Sequence, residues 1–152
     1  MNRSELNRLH TKVFEVASEV LSMLGPGLDT DIYRACFQHE LRLKGLMYKR
    51  EVKFPLFYKD LKTSHEIKVE LLVENHLLVE IIPENEISTI RVSALQTKLK
   101  LTGLKMGVLI SFNSNNIIEG YKKLCLPHDK LGFSIVVIPL FIIFGCQNIT
   151  ST

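Results

Sequence analysis

Two glutamates stand in this chain where apolar strands should carry none. The run Ile67–Pro83 reads IKVELLVENHLLVEIIP, with Glu70 inside VELLV and Glu80 inside LLVEII. A carboxylate among Val, Leu and Ile is costly unless it is paired or bound to a cation. Such carboxylates on two neighbouring strands are a candidate metal site. The competing reading is structural: Glu70 in an ion pair with Lys68, Arg50 or Arg91, and Glu80 at a solvated strand end. Other chemistry-bearing residues gather into no comparable pattern. His10, His39, His65, His76 and His128 are scattered, none at metal-ligand spacing, and are expected on the surface. Gly25-Pro26-Gly27 lacks the lysine of a nucleotide-binding loop, and no GxSxG elbow is present. Cys36 falls on an expected core face, where a thiol packs rather than reacts.

A small fold must position these carboxylates. A length of 152 residues suits one domain with one core, and an apolar fraction of 46% is that of an ordinary globular chain. The net charge of +3 is too small to imply nucleic acid by itself, but it is unevenly spread. Residues 41–68 hold eight basic and three acidic side chains; residues 70–86 hold five acidic and no Lys or Arg; residues 91–123 are basic again. A polyanion along the flanks with a cation at the acidic centre would match that layout, and so would ordinary solvated charge. Cys36, Cys125 and Cys146 have no zinc-type spacing, so reduced thiols in a cytoplasmic protein are expected. The opening MNRSELNRLHTKVFEV has no apolar core of a secretory signal.

The periodicity predicts the elements in order. Leu6, Leu9, Val13, Val16, Val20 and Leu24 recur at helical spacing, with Ser4 as cap and Gly25-Pro26-Gly27 as stop. A second helix is expected from Asp29 to Lys44, with Ile32, Cys36, Leu41 and Leu43 inward. Strands are expected over 48–58, 66–73 and 77–82, the last two joined by Glu74-Asn75-His76 as an antiparallel hairpin. A helix over 89–101 precedes a strand over 104–112 that is buried on both faces. Residues 117–124 read as a short final helix. A helix between two strands of one sheet makes a parallel crossover, so the expected class is α/β, a mixed sheet flanked by helices. Residues 1–126 form the expected domain and 127–152 an apolar extension. Its run LGFSIVVIPLFIIFGC is too short to span a bilayer and carries Pro139 in its middle, so membrane association is not expected. Exposed, it would invite a homodimer.

The runs LGPGLDTDIYRACFQHELRLKGL, VELLVENHLLVE and LKLTGLKMGVLISFN resemble the small bacterial GxxExxY family of the PD-(D/E)XK nuclease superfamily. The resemblance spans Leu6 to Leu124 in order. It implies a nuclease-like mixed sheet, carboxylates that bind Mg²⁺, and a lysine that orients or activates the attacking water. Glu70 stands at the aspartate position and Glu80 at the glutamate position, but Ile82 replaces the lysine and Ala94 the glutamine of the following helix, with Gln96 two residues away. The naming motif runs from Gly27 to Tyr33 with Thr30 at its glutamate, and Glu40 matches a glutamate common in the family. Asp to Glu moves a carboxylate by roughly 1.5 Å, where sites tolerate about 0.5 Å. Lysine to isoleucine removes a cation, a loss worth on the order of 10²–10³ in rate. Lys68, two residues before Glu70 and expected on the same face, could in principle supply an amine in its place.

Three functions remain. The first is a nuclease-fold protein that binds nucleic acid with cleavage weakened or lost, with Lys49, Arg50, Lys53, Lys98 and Lys100 as candidate phosphate contacts. The second is an active Mg²⁺-dependent nuclease using Glu70 and Glu80. The third is a non-enzymatic protein–protein module that dimerises through its sheet or its tail.

Overall fold

A tight antiparallel hairpin fixes the centre of the molecule. Glu74 and Asn75 take φ of 50° and 60°, and His76 N donates to Val73 O at 3.0 Å. Positive φ at both central residues matches the twist of two antiparallel strands. The structure, a computed structural model, describes residues 1–127. The apolar extension therefore lies, Pro127 apart, outside the described residues.

The order is α1 (Arg3–Leu24), α2 (Thr30–Leu43), β1 (Tyr48–Tyr58), β2 (Leu61–Val73), β3 (Leu77–Ile82), α3 (Thr89–Thr102), β4 (Met106–Ser111) and β5 (Tyr121–Cys125). The strands form one mixed sheet in the order β1-β2-β3-β4-β5. Only β3 and β4 are parallel, and α3 is the crossover between them. All six residues of β3 and all six of β4 are buried, as central parallel strands require.

Helices cover both faces. Leu77, Val79 and Ile81 of β3 point towards α1 and α2, in a cluster with Val13, Val16, Tyr33 and Phe37. Leu78 and Ile82 point the other way and pack with Leu95 and Leu99 of α3. Strand alternation thus splits the core into two layers. Glu80 falls on the α3 side by the same alternation, and Ile81 on the α2 side.

Several elements differ from expectation. The cap of α1 is Asn2 rather than Ser4; its side chain accepts from Glu5 N at 2.9 Å while Glu5 Oε2 accepts from Asn2 N at 2.7 Å. This reciprocal pair satisfies two orphan donors. In α2 the buried stripe is Tyr33, Phe37 and Leu41, whereas Ile32 and Leu43 are exposed and Cys36 is half-buried. The aromatic pair sets that phase: Tyr33 stacks on Phe112 with ring centres 4.8 Å apart, and Phe37 meets the same ring edge-on. Residues 117–124 are not a helix. A turn ends at Gly120, and Tyr121–Cys125 adds an edge strand beside β4. A Cβ at Gly120 would collide with Ser111 O and Ser114 Oγ, so the close approach requires glycine. His10 is half-buried against Tyr121 rather than on the surface, with ring centres 5.5 Å apart.

Candidate functional site

The first residue of β2 paired with β3 is Leu71, opposite Val79. One residue earlier on β2 and one later on β3 stand Glu70 and Glu80, both lining a cleft of about 810 Å³. The cleft opens at the carboxyl end of β3, where ligands of open α/β sheets gather. Its walls come from α2, β1, β2, β3 and α3. The β1–β2 ladder skips one pair there, Glu51 with Glu70, and Glu51 has φ of 50°. Left-handed backbone at a non-glycine residue is strained, and such strain concentrates at functional sites.

Both carboxylates are held by side-chain cations. Arg34 of α2 donates from Nε to Glu70 Oε1 at 2.6 Å, from Nη1 to Asp31 Oδ1 at 2.7 Å and from Nη2 to Ile81 O at 3.3 Å. Glu70 Oε2 accepts from Ile81 N at 3.1 Å. Lys98 of α3 donates from Nζ to Glu80 Oε1. Glu80 is only 8% exposed, so Lys98 supplies the counter-charge that its burial demands. Burial pushes the Glu70 carboxyl up; Arg34 and the Ile81 N–H pull it down without fully offsetting that, and nearby Glu80 adds to the rise. On the arginine, burial opposes the charge, but Glu70 and Asp31 outweigh it and the guanidinium is held more firmly protonated. The neighbours expected for Glu70, namely Lys68, Arg50 and Arg91, make no ion pair with it; Lys68, Arg50 and Arg91 line the cleft nonetheless.

The cleft is largely basic. Arg34, Arg50, Lys53, Lys68, Arg91 and Lys98 line it, against Asp31, Glu51, Glu70 and Glu80. Arg91 is paired with Glu84 at 2.5 Å, and Lys53 lies 3.7 Å from Glu66 with both side chains half-exposed. Arg50 and Lys68 have no ion-pair partner among the described residues. Lys53 and Lys68 are direct cross-strand partners on β1 and β2. Of the candidate phosphate contacts, Arg50, Lys53 and Lys98 line the cleft, and Lys49 and Lys100 do not.

The remaining motif positions are structural in their contacts. Ile82 is 4% exposed and sits in the apolar layer with Leu95 and Leu99, while Ala94 and Gln96 are exposed on α3. Tyr33 Oη donates to Gly25 O at 2.6 Å and accepts from Leu28 N at 3.1 Å, clamping the turn before α2. Gly27, at φ of 99°, donates from N to Asn113 Oδ1 at 3.1 Å, and Asn113 Nδ2 donates to Pro83 O at 2.7 Å. Gly27 and Tyr33 thus tie the start of α2 to the end of β3 and hold Arg34 over the cleft. Thr30 and Glu40 are half-buried on α2 and do not line it.

Arg34 is the site residue that the sequence reading missed. A signal existed: Asp31, Arg34 and Gln38 lie three and four apart on one helix, and all three line the cleft. A divalent ion does not fit this arrangement without displacing Arg34. Among the described residues no three His, Cys, Asp or Glu side chains gather as a metal-binding group. No described helix is long and apolar enough to cross a membrane.

A sequence model of the PD-(D/E)XK nuclease superfamily matches residues 7–124. Neither the curated proteins nor the solved structures yield a match.

Proposed function

The chain belongs to the PD-(D/E)XK nuclease superfamily, and on that premise we propose that its cleft binds the sugar–phosphate backbone of nucleic acid, with phosphodiester cleavage weakened or lost. The observation that carries the reading is the Lys53–Lys68 pair. Like charges directly opposite on neighbouring strands destabilise a sheet, and these two face each other beside Arg50 on the cleft wall. A polyanion relieves that repulsion. The Lys53–Glu66 contact at 3.7 Å between half-exposed side chains offsets little of it. Weakened cleavage is supported by Ile82, apolar and buried where the superfamily places a lysine, and by a guanidinium bonded to Glu70.

A second reading, an active Mg²⁺-dependent nuclease using Glu70 and Glu80, draws on one observation. Lys98 brings an ammonium from α3 to Glu80, so a cation is present near the acidic pair despite Ile82. Lys68, the replacement considered from sequence, lines the same cleft.

Fluorescence anisotropy of labelled single- and double-stranded DNA and RNA, titrated at several salt concentrations, tests the first reading. Each phosphate contact contributes about 0.7–0.9 to the slope of log affinity against log salt. The double variant Lys53→Ala/Lys68→Ala should lose about 1.4–1.8 of that slope. It relieves a repulsion, so it should fold at least as well as the wild type. An unchanged slope and affinity would refute the assignment.

A further inference from the structure

The three oxygens that Arg34 gathers are of one chemical kind. Glu70 Oε1, Asp31 Oδ1 and Ile81 O come from β2, α2 and β3, and they converge on one guanidinium at 2.6, 2.7 and 3.3 Å. Carboxylate oxygens and a main-chain carbonyl are the donor set that a hard divalent cation takes. Helix α2 has been brought to this spot by the Tyr33 and Gly27 contacts at its start, so the side chain is held there by the fold. Ile81 O, 47 residues further along the chain, is the third acceptor of the same guanidinium.

We infer that Arg34 is a built-in replacement for a divalent cation: its guanidinium occupies the seat between Glu70 and the end of β3 and neutralises that carboxylate from within the chain. Lys98 does the same for Glu80 from the opposite helix layer. The acidic pair is thereby neutral overall without an exogenous ion. A guanidinium is permanently charged and fork-shaped, which suits it to bridge two carboxylates and a carbonyl at once. The consequence is a latent metal site. Shortening residue 34 would leave Glu70 and Ile81 O at the end of β3 without their cation, with the exposed Asp31 beside them.

The inference concerns the same cleft but stands without nucleic-acid binding, because its test contains no nucleic acid. Mn²⁺ is titrated into the full chain, and binding is read by calorimetry and by loss of the free-ion electron paramagnetic resonance signal. The proteins are wild type, Glu70→Gln, Arg34→Ala, Arg34→Met and Arg34→Met/Glu70→Gln. Arg34→Met keeps most of the alkyl stem, so it covers the case in which Arg34→Ala does not fold; circular dichroism reports folding. The expected result is no saturable Mn²⁺ site in the wild type that Glu70→Gln removes. One saturable site should appear in the Arg34 variants, because the guanidinium that competes for Glu70 is gone. That site should vanish in the double variant. A Glu70-dependent Mn²⁺ site already present in the wild type would overturn the inference, as would a folded Arg34→Met that gains none.

Discussion

Removing Lys98 should cost far more than removing its partner. Glu80 is 8% exposed and sits between Leu78 and Ile82 in the apolar layer under α3. Lys98→Met keeps the straight hydrocarbon stem and deletes the ammonium, stranding a buried carboxylate. Breaking a fully buried ion pair in this way costs about 3–5 kcal/mol. The Lys98 side chain is 34% exposed, so water screens part of the loss and about 2–3 kcal/mol is expected. Glu80→Leu is different. It leaves an ammonium that can turn into the cleft water, and it adds a leucine to a strand already buried along its length. Its cost should stay below about 1 kcal/mol, and the double variant should lie within about 1 kcal/mol of wild type, because apolar replacement of a buried pair is often neutral. Urea unfolding measures all four proteins. With a slope near 2 kcal/mol per M, Lys98→Met should lower the midpoint by about 1 M. Equal costs for the two single variants, or a double variant weaker than both, would refute the view that Lys98 is present to neutralise Glu80.

Two further perturbations test the frame around the cleft. Tyr33→Phe keeps the stack on Phe112 but removes the hydrogen bonds to Gly25 O and Leu28 N; thermal melting should show a loss of about 1–2 kcal/mol. Burial, with Lys123 adding, pushes the His10 imidazole down to about 4, so the fold favours its neutral form. Stability from this group is present above the ordinary value of 6.5 and is lost as pH falls through about 4. Discounted for the part of the ring that water reaches, the wild type should lose about 1–2 kcal/mol more than His10→Phe over that window. Parallel unfolding curves for the two proteins across that range would contradict the burial of this ring.

Local patterns were readable and distant partnerships were not. The hairpin of β2 and β3, the stripe of α1 and the helix between two parallel strands follow from spacing within one element. The phase of α2 did not, because Ile32, Cys36 and Leu43 compete with Tyr33, Phe37 and Leu41 for the inward face, and Phe112, far along the chain, selects the aromatic set. Strand β5 is five residues at a sheet edge, KKLC after Tyr121, too short for its alternation to outweigh a helical reading. The two acidic positions stood out by charge in apolar strands. Their partners did not: Arg34 is 36 residues from Glu70, and Lys98, grouped from sequence with phosphate contacts, reaches Glu80 across the crossover.

The proposed function is a cleft that holds nucleic acid without efficiently cutting it. The direct measurement incubates labelled single- and double-stranded DNA and RNA with the full chain in Mg²⁺ and in Mn²⁺. Half of each sample is run on a native gel and half on a denaturing one. A cleft of this kind should give a salt-sensitive shift on the native gel and intact strands on the denaturing gel. Cleavage that disappears in Glu80→Ala would establish the active nuclease instead, and no shift with any strand at low salt would contradict the cleft's assignment to nucleic acid.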